Sequence, residues 1–374
     1  MYKILISGYY GFNNIGDESI LKAVVGSLKK GLSADGEVRI TVLSKDPEGT
    51  KARYAVESAN RKSVPVIIKE VAKCDLLISG GGSLLQDVTS RKSILYYLFI
   101  MWLARLFGKD YFVYSQGIGP INSGFNRRLT ARILKHAAGI AVRDEASAEF
   151  LKEIGIPEGN VAVTADPVLS LPPADKKIGK EILIKEGLDA GSNEPLVGFA
   201  IREKKTDSDF VDELAKAIKA IVTERGCKAV LIPFFYNEDM AVLDALRARL
   251  AAEGLSDRIC AVSHKYLSGE MMSIIGNMDI LVGVRLHSLI HAAIMGVPMI
   301  GISYDPKINS FMKSLGLRAI SSVYDFTAEY FMEEFDKTWN RREEMKNEIL
   351  ASVEVLKKKL DTNEEMILKI KDRR

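Results

Sequence analysis

The chain has 374 residues, 47% of them apolar, with 52 Lys or Arg against 49 Asp or Glu and three cysteines. One hydrophobic core rarely serves more than about 250–300 residues, so this length predicts two domains. The net charge of +3 lacks the basic excess typical of nucleic-acid-binding proteins, so no nucleic-acid partner is expected. The three widely separated cysteines argue against a disulfide framework or a zinc ribbon.

The N-terminal segment enters a strand pattern without the basic segment, apolar run and cleavage site of a secretory signal, which predicts a cytoplasmic protein. Residues 94–107 form the longest apolar stretch, and they fall short of the roughly 20 residues needed to span a bilayer. Two interpretations stay open for them: a buried helix packed on a sheet, or an interfacial helix that contacts the inner face of the membrane near a lipid-linked substrate.

Short β-branched runs alternate with amphipathic helical patterns along most of the chain, which predicts two α/β, Rossmann-like domains facing across a cleft. Predicted strands lie at residues 3–7, 39–43, 76–79, 111–114, 140–142 and 161–163, and then at 196–201, 229–234, 259–262, 280–284 and 299–303. We therefore assign residues 1–172 to an N-terminal domain and 173–323 to a C-terminal domain, with a hinge at Pro172 and Pro173. Residues 324–374 are charged and helical in pattern, and we expect them to brace both domains.

The loops that follow the first-domain strands are rich in glycine and polar side chains. Asn13, Asn14, Asp17 and Glu18 offer hydrogen bonds suited to sugar hydroxyls, although a helix cap explains Asp17 equally well. Gly81 and Gly82 either admit a ligand close to the backbone or form a tight turn. No G-x-G-x-x-G motif occurs in the first loop, which argues against a dinucleotide.

In the second domain, the strand ends carry cationic side chains. Arg202 and Arg285 each follow a strand, Lys307 follows a third, and His287 lies at the start of an apolar helix. Arginines and a helix N-terminus favour phosphate or carboxylate, so the pattern predicts an anion site in a wet cleft. His287 and His291 are spaced like two metal ligands, but Ser288 stands where H-E-x-x-H requires glutamate, so no metal site is predicted and His291 is expected to be packed in the helix.

The motifs G-Y-Y-G-F-N-N-I-G-D-E, S-G-G-G-S-L-L-Q-D, S-Q-G-I-G-P and G-V-R-L-H-S-L-I-H-A-A-I-M-G-V-P resemble those of the polysaccharide pyruvyltransferase family, most of all its CsaB type. The resemblance runs from residue 1 to about residue 307. It implies a fold like the GT-B glycosyltransferases, phosphoenolpyruvate as donor, and a 4,6-ketal on N-acetylmannosamine of a lipid-linked precursor of secondary cell-wall polymer. Family donor-binding positions fall on Arg202, Arg285, Leu286 and His287.

On this basis we predict a transferase that uses phosphoenolpyruvate as a substrate and needs no metal or other cofactor. His287 is the predicted acid, Asp17 the predicted base, and Lys307 adds positive charge at the donor. The predicted acceptor-binding residues are Asn13, Asn14, Asp17, Gly81, Gly82 and Gln116. The alternatives are a GT-B glycosyltransferase that uses a nucleotide sugar and a non-catalytic sensor of a phosphosugar.

Overall fold

The structure is a computed structural model that describes residues 1–32, 37–88, 90–189, 193–202 and 208–373. The chain divides into two compact units, Met1–Leu171 with Val355–Arg374 (unit 1) and Pro172–Glu354 (unit 2). Each unit is built around a parallel sheet with helical crossovers. This confirms the prediction of two Rossmann-like α/β domains with a C-terminal helical tail.

Unit 1 contains a seven-stranded parallel sheet with the strand order β3-β2-β1-β4-β5-β6-β7. The strands are β1 (Tyr2–Tyr10), β2 (Val38–Ser44), β3 (Glu57–Asn60), β4 (Leu76–Ser79), β5 (Asp110–Gln116), β6 (Gly139–Val142) and β7 (Val161–Val163). Its helices are α1 (Ile15–Leu32), α2 (Pro47–Tyr54), α3 (Val64–Lys73), α4 (Ser93–Leu106), α5 (Gly124–Leu134) and α6 (Glu145–Glu153). Every residue of β4 is buried, as expected for a central parallel strand covered on both faces.

Unit 2 contains a six-stranded parallel sheet with the strand order β10-β9-β8-β11-β12-β13. The strands are β8 (Leu196–Ala200), β9 (Lys228–Leu231), β10 (Ile259–Ala261), β11 (Ile280–Gly283), β12 (Met299–Ser303) and β13 (Ile320–Ser322). The helices are α7 (Lys176–Lys185), α8 (Ser208–Glu224), α9 (Tyr236–Ala252), α10 (Ser268–Ile275), α11 (Leu286–Met295), α12 (Pro306–Ser314) and α13 (Ala328–Asn340). Each predicted strand is present in the two sheets, and β3 and β13 are additional strands that the sequence patterns missed.

The last helix, α14 (Arg342–Lys371), contributes to both units. In unit 2, Ser352 Oγ donates a hydrogen bond to the carbonyl oxygen of Leu315 at 3.4 Å. In unit 1, Asn363 is fully buried and its side-chain nitrogen donates to Ser115 Oγ at 2.8 Å. The buried amide of Asn363 therefore fixes the end of this helix to the end of β5.

Helix α4 accounts for the long apolar stretch of the sequence. Half of its 14 residues are buried in the core of unit 1, but Trp102 and Leu106 are exposed. No described helix is long and apolar enough to cross a bilayer. The buried-helix interpretation is therefore confirmed for the inner face of α4, while its outer face is apolar and exposed.

Candidate active site

Each sheet has a switch point, the place where the strand order reverses and where open α/β sheets bind ligands. It lies between β1 and β4 in unit 1 and between β8 and β11 in unit 2. These strands are parallel, so their carboxyl ends lie on one edge of each sheet. The predicted site residues follow these four strands, except for Gln116, the last residue of β5, and Lys307, which follows β12.

The two asparagines predicted to bind the acceptor have different environments. Asn13 is exposed and has a left-handed backbone conformation, with φ of 59°. Asn14 precedes α1, and its side-chain oxygen accepts a hydrogen bond from the backbone N–H of Gly16 at 3.1 Å. Asn14 therefore supplies a capping hydrogen bond to α1, which leaves Asn13 as the more accessible of the two side chains.

Glu18 anchors the first loop from within α1. Its carboxylate accepts hydrogen bonds from the backbone N–H of Gly11 at 2.9 Å and from the Tyr54 hydroxyl at 2.5 Å, and it lies 3.8 Å from Arg53 Nη1. Burial, reinforced by the charge of Glu18, raises the pKa of the Tyr54 hydroxyl, which therefore stays a donor. Glu18 is thus a buried structural carboxylate and not a sugar-binding group.

Asp17 lies at the switch point of unit 1, beside Gly82. A Cβ atom placed on Gly82 would lie 3.5 Å from Asp17 Oδ1, and Gly82 has φ of 91°. Burial raises the pKa of Tyr10, and the negative charge of Asp17 raises it further. The structure therefore brings the predicted base next to Gly82 and close to a buried phenol.

The glycines around the switch point of unit 1 make room for neighbouring side chains. A Cβ atom on Gly8 or Gly80 would collide with the ring or the hydroxyl of Tyr10. A Cβ atom on Gly81 would lie 2.9 Å from Ile20 Cγ2 and 3.0 Å from a ring carbon of Pro167. Close packing therefore explains Gly80 and Gly81 without a ligand.

Gln116 is fully buried at the end of β5. Its side-chain nitrogen donates to Ser79 Oγ at 2.7 Å. The oxygen of the same amide, Ser7 Oγ and the Tyr10 hydroxyl are buried with no hydrogen-bond partner among the described residues. Buried polar atoms of this kind are normally paired, so the edge that they share is suited to water or to ligand hydroxyls.

In unit 2, Arg285 forms a buried ion pair. Its guanidinium contacts both Asp239 and Glu238, with Nε 3.2 Å from Asp239 Oδ1 and Nη2 3.2 Å from Glu238 Oε2. Asp239 is fully buried and also accepts the backbone N–H groups of Phe234 and Phe235 at 3.0 and 2.8 Å. Burial lowers the pKa of Arg285, but the charge of Asp239 and the hydrogen bonds outweigh this, so the pKa is raised.

The sequence predicted that Arg285 lies in a wet cleft as an uncompensated cation. That prediction is wrong for Arg285, because its side chain is only 12% exposed and is paired with carboxylates. Two carboxylates balance its charge, because α9 begins beside the switch point and presents Glu238 and Asp239 from its first turn. An anion that binds here must share the guanidinium with these carboxylates. The network holds the guanidinium in one orientation.

Arg202 lies next to Arg285 through a shared carboxylate. Its Nη2 is 3.9 Å from Glu238 Oε2, and its Nη1 donates to the Tyr304 hydroxyl at 2.9 Å. Its Nε is buried and has no hydrogen-bond partner among the described residues. The structure therefore brings the two predicted arginines together, and Arg202 is the more exposed one.

Lys307 belongs to the same edge through Tyr304. Its Nζ lies 3.1 Å from Asp305 Oδ2 and 5.9 Å from the centre of the Tyr304 ring. The guanidinium of Arg202 lies 5.2 Å from the same ring centre. Tyr304 therefore stands between two cations, with its hydroxyl bonded to one of them.

Helix α11 starts directly after Arg285, whose side chain makes no capping hydrogen bond. Leu286 is buried, and His287 is half-buried in the first turn. His291, one turn later, is fully buried, and its ring meets Phe234 edge-on with the centres 5.3 Å apart. The prediction that His291 is a packed helix residue is confirmed.

Three residues of this network were absent from the sequence-based site: Glu238, Asp239 and Tyr304. The predicted strand at residues 229–234 ends before the acidic pair, and no site residue was predicted in the loop that follows it. Two acidic residues in the first turn of a helix are common because they interact favourably with the helix N-terminus. The sequence therefore gives no reason to expect that this pair contacts an arginine that follows another strand. Tyr304 is part of a predicted loop, but a single tyrosine gives no pattern.

Comparison with families of known proteins matches residues 14–306 to the family described as polysaccharide pyruvyl transferase. Among curated proteins, the chain is similar to the amylovoran biosynthesis protein AmsJ of Erwinia amylovora, with 21% identity over 86% of this chain and 88% of AmsJ. The matched segment begins after β1, and it includes the switch point of unit 2 and all the predicted site residues except Asn13 and Lys307, which lie just outside it.

Solved structures show which fold the chain has. It matches HepE of Anabaena, solved with UDP and glucose, with a TM-score of 0.65, 12% identity and all of both chains covered. It also matches the UDP-GlcNAc 2-epimerase of Neisseria meningitidis, with a TM-score of 0.63, 14% identity, 99% of this chain and 100% of the other. A glycosyltransferase of Rickettsia africae gives a TM-score of 0.64, 14% identity and 98% of each chain. The fold is therefore GT-B-like.

Proposed function

Because the chain belongs to the polysaccharide pyruvyl transferase family, we propose that it transfers a pyruvyl group from phosphoenolpyruvate to a hexose and forms a 4,6-ketal with release of phosphate. The observation that carries the choice of donor is the pair Arg202 and Arg285 at the switch point of unit 2. Phosphoenolpyruvate has a carboxylate and a phosphate, and two fixed guanidinium groups can orient both. Phosphoenolpyruvate is a substrate in this reaction, and the proposal needs no metal or other cofactor.

The donor site is assigned to Arg202, Arg285, Leu286, His287 and Lys307. Arg202 is the primary anion ligand in this proposal, because its buried Nε has no partner among the described residues and its side chain is 30% exposed. The N-terminus of α11 offers N–H groups that have no partner inside the helix. Arg285 contributes charge that is already oriented by Asp239 and Glu238.

The reaction is proposed to begin with protonation of the donor methylene by His287. The methylene becomes a methyl group, and the adjacent carbon gains cationic character and is attacked by a sugar hydroxyl, which loses its proton. A second hydroxyl of the same sugar then displaces phosphate and closes the ketal. The arginines stabilise the charge that develops on the leaving phosphate, and Lys307 adds positive charge at the edge of the donor site.

The acceptor is assigned to the loops of unit 1. Asp17 is the proposed base for the hydroxyl proton, because it is half-buried beside Gly82 at the switch point. Asn13, Asn14, Gly81 and Gln116 complete the proposed acceptor set, and the unpaired oxygen of Gln116 supports a polar ligand at this edge. N-acetylmannosamine in a lipid-linked precursor of secondary cell-wall polymer, modified in the cytoplasm, is the acceptor that we propose.

The alternatives are transfer of a sugar from a nucleotide sugar and binding of a phosphosugar without catalysis. The GT-B-like fold permits both, since one fold supports many chemistries. Helix α11 contains two histidines and no acidic residue that could bind a ribose. A small dense anion fits an arginine and a histidine better than a nucleoside does.

The test is phosphate release from phosphoenolpyruvate with EDTA present and a panel of hexosamine glycosides, including an N-acetylmannosamine disaccharide on a lipid-like diphosphate. The proposal predicts phosphate release that depends on the acceptor, and a product heavier by pyruvate minus water. Transfer from a nucleotide sugar, with no reaction of phosphoenolpyruvate, would instead establish the glycosyltransferase. Binding of phosphoenolpyruvate or a phosphosugar without turnover of any donor would establish the sensor.

A further inference from the structure

Helices α3 and α4 enclose an apolar cavity on the surface of unit 1. The cavity has a volume of about 310 Å³ and is lined by Arg61, Lys62, Val64, Ile67, Tyr96 and Phe99. Its size lies at the lower end of the range for small-molecule pockets, about 300–1,000 Å³. Its walls are mostly aliphatic and aromatic, and they include the buried cation Arg61 and the exposed cation Lys62, so the cavity suits an alkyl chain that carries a nearby negative charge.

The cavity opens into an exposed apolar surface. We call this surface the α3–α4 face and define it by Val64, Ile68, Trp102, Leu106 and Phe107, which are 49%, 37%, 45%, 61% and 39% exposed. Val64 lines the cavity, and Ile68 lies one helical turn further along α3. Trp102 stacks on the cavity residue Phe99 with ring centres 6.0 Å apart, and Leu106 lies one turn beyond it. Exposed apolar side chains therefore continue from the cavity along both helices.

The surroundings of this face are basic. Residues 61–75 and 91–110 contain eight basic residues and three acidic residues, in a chain whose net charge is only +3. The basic residues are Arg61, Lys62, Lys69, Lys73, Arg91, Lys92, Arg105 and Lys109, and the acidic residues are Glu70, Asp75 and Asp110. Glu70 lies 3.7 Å from Lys73, so its charge is already balanced. The face therefore combines exposed apolar side chains with an excess of positive charge.

Arg61 links the basic and apolar parts of the face. Its guanidinium lies 4.7 Å from the ring centre of Tyr96 and 5.0 Å from that of Phe12, and its Nη2 donates to the Tyr97 hydroxyl at 3.3 Å. Burial lowers the pKa of Arg61, but the interactions with Tyr97 and Tyr96 outweigh burial and raise the pKa overall. Arg61 therefore stays charged among these aromatic rings. A fixed cation therefore lines one side of an alkyl-sized cavity.

We propose that the α3–α4 face docks on an anionic lipid bilayer and that the cavity takes up an alkyl chain from it. Exposed apolar patches mark interaction sites, and a tryptophan beside lysines and arginines is the composition of a peripheral membrane surface. Anionic headgroups match the positive charge, each basic residue near the surface contributing about 1 kcal/mol. Helix α4 has 14 residues, so it lies along the surface of the bilayer and does not span it.

The test is flotation of the full-length protein with vesicles and no substrate, so its outcome is independent of the proposed transfer reaction. We expect binding to phosphatidylcholine vesicles that contain about 30% phosphatidylglycerol, and at least tenfold weaker binding to phosphatidylcholine alone. Salt at about 0.5 M should also weaken the binding, because it screens the headgroup charge. In a Trp339→Phe background, Trp102 fluorescence should shift to the blue and be quenched by lipids that carry a spin label in the alkyl chain.

Two variants locate the surface. Leu106→Glu with Phe107→Glu should reduce vesicle binding at least tenfold, because two charges would have to leave water. Ile178→Glu, at an equally exposed apolar residue of α7, is the matched control and should bind like the wild type. If the double variant does not fold, Lys62→Glu with Lys92→Glu and Arg105→Glu serves the same purpose.

Binding to phosphatidylglycerol vesicles no stronger than to phosphatidylcholine would overturn the proposal. So would unchanged binding of the folded α3–α4 variant. A dimer of the wild type that the Leu106→Glu, Phe107→Glu variant abolishes, without vesicle binding by either protein, would assign the face to a second copy of the chain instead.

Discussion

In unit 1 the strands on either side of the switch point end in glycines packed around Tyr10, whereas in unit 2 they end in two arginines joined by Glu238. The two sheets have the same topology at this point, because each reverses its strand order beside its first strand. Their chemistry differs. Unit 1 presents neutral polar atoms, some of them unpaired among the described residues, beside the carboxylate of Asp17, and unit 2 presents cations that are paired and oriented. The difference matches a neutral sugar in one unit and an anionic donor in the other.

The largest effect is expected from Arg285→Met. This change leaves the buried carboxylate of Asp239 without its cation, which should cost about 3–5 kcal/mol of folding free energy. The turnover rate should fall at least about 1000-fold. The double variant Arg285→Met, Asp239→Asn should recover most of the stability but none of the turnover. Urea unfolding and phosphate release measure the two effects.

This pair of variants separates the structural role of Arg285 from its role in the reaction. Recovery of turnover in the double variant would show that Arg285 only supports the fold. If Arg285→Met unfolded like the wild type, the buried ion pair would be ruled out.

In unit 1, Gly80→Ala should destabilise the fold by about 1–3 kcal/mol, because the new methyl group collides with the Tyr10 hydroxyl. Tyr10→Phe in the same chain should recover much of this loss. Gly26→Ala is the control, since a methyl group at that helical position meets only open space and should stabilise α1 by about 0.5–1 kcal/mol. The rise in melting temperature caused by phosphoenolpyruvate should be unchanged in these three variants. Loss of that rise would contradict the assignment of donor binding to unit 2 alone.

Away from the switch points the two units are alike, since each has a carboxylate that anchors a loop. In unit 2, Glu186 accepts hydrogen bonds from the Tyr266 hydroxyl at 2.7 Å and the Ser263 backbone N–H at 2.9 Å. Burial opposes the charge, but these hydrogen bonds lower the pKa of Glu186 to about 2. In unit 1, hydrogen bonds from the backbone N–H groups of Asn122 and Ser123 outweigh burial and lower the pKa of Asp87.

Glu186→Gln should therefore cost about 2 kcal/mol near neutral pH. The folded pKa is below the unfolded one, so this contribution is present above the ordinary pKa of glutamate, 4.5, and is lost as the pH falls towards 2. Urea unfolding at a series of pH values measures it. Glu181→Gln, an exposed change on the same helix, should have no effect. A loss for Glu186→Gln that does not vary with pH would show that the ionised carboxylate is not the source of the stability.

The smallest effect is expected from Lys307→Gln. The side chain is 27% exposed and paired with Asp305, so stability should change by less than about 0.5 kcal/mol. The KM for phosphoenolpyruvate should rise about threefold to tenfold while kcat changes little, because a peripheral charge stabilises the bound substrate and the transition state equally. Lys313→Gln, on the same helix and exposed, is the control. Equal effects of the two changes would remove Lys307 from the donor site.

The central strands of both sheets could be predicted from the sequence because burial on both faces requires continuous apolar runs. Strands β3 and β13 could not, since both lie at sheet edges and their sequences, E-S-A-N and I-S-S, are short and polar. The amphipathic pattern of residues 127–138 would carry a helix to residue 138, whereas α5 ends at Leu134. The end of α5 is determined by the hydrogen bonds of its last turn and by the short connection to β6. Neither feature can be recognised from the pattern of apolar residues.

The site was predictable where strand ends alone define it, as for Arg202 and Arg285. The carboxylates that neutralise them come from the start of α9, and only the packing of that helix against the strand ends reveals the contact. The same holds for Gly80, where the triple glycine was visible but the need for it depends on the position of the Tyr10 ring. Sequence patterns therefore located the strand ends, whereas the carboxylates that pair with the arginines could be identified only from the packing of α9 in the structure.

The most direct test of the proposed transfer uses phosphoenolpyruvate labelled with ¹³C in all its carbons, in D₂O, with EDTA and the N-acetylmannosamine acceptor. We predict that mass spectrometry will find every labelled carbon in the sugar product, together with one deuterium in the new methyl group and one free phosphate per ketal. The deuterium would report protonation of the methylene, the step assigned to His287. A product without labelled carbon would contradict the account, and so would transfer of a sugar from a nucleotide sugar under the same conditions.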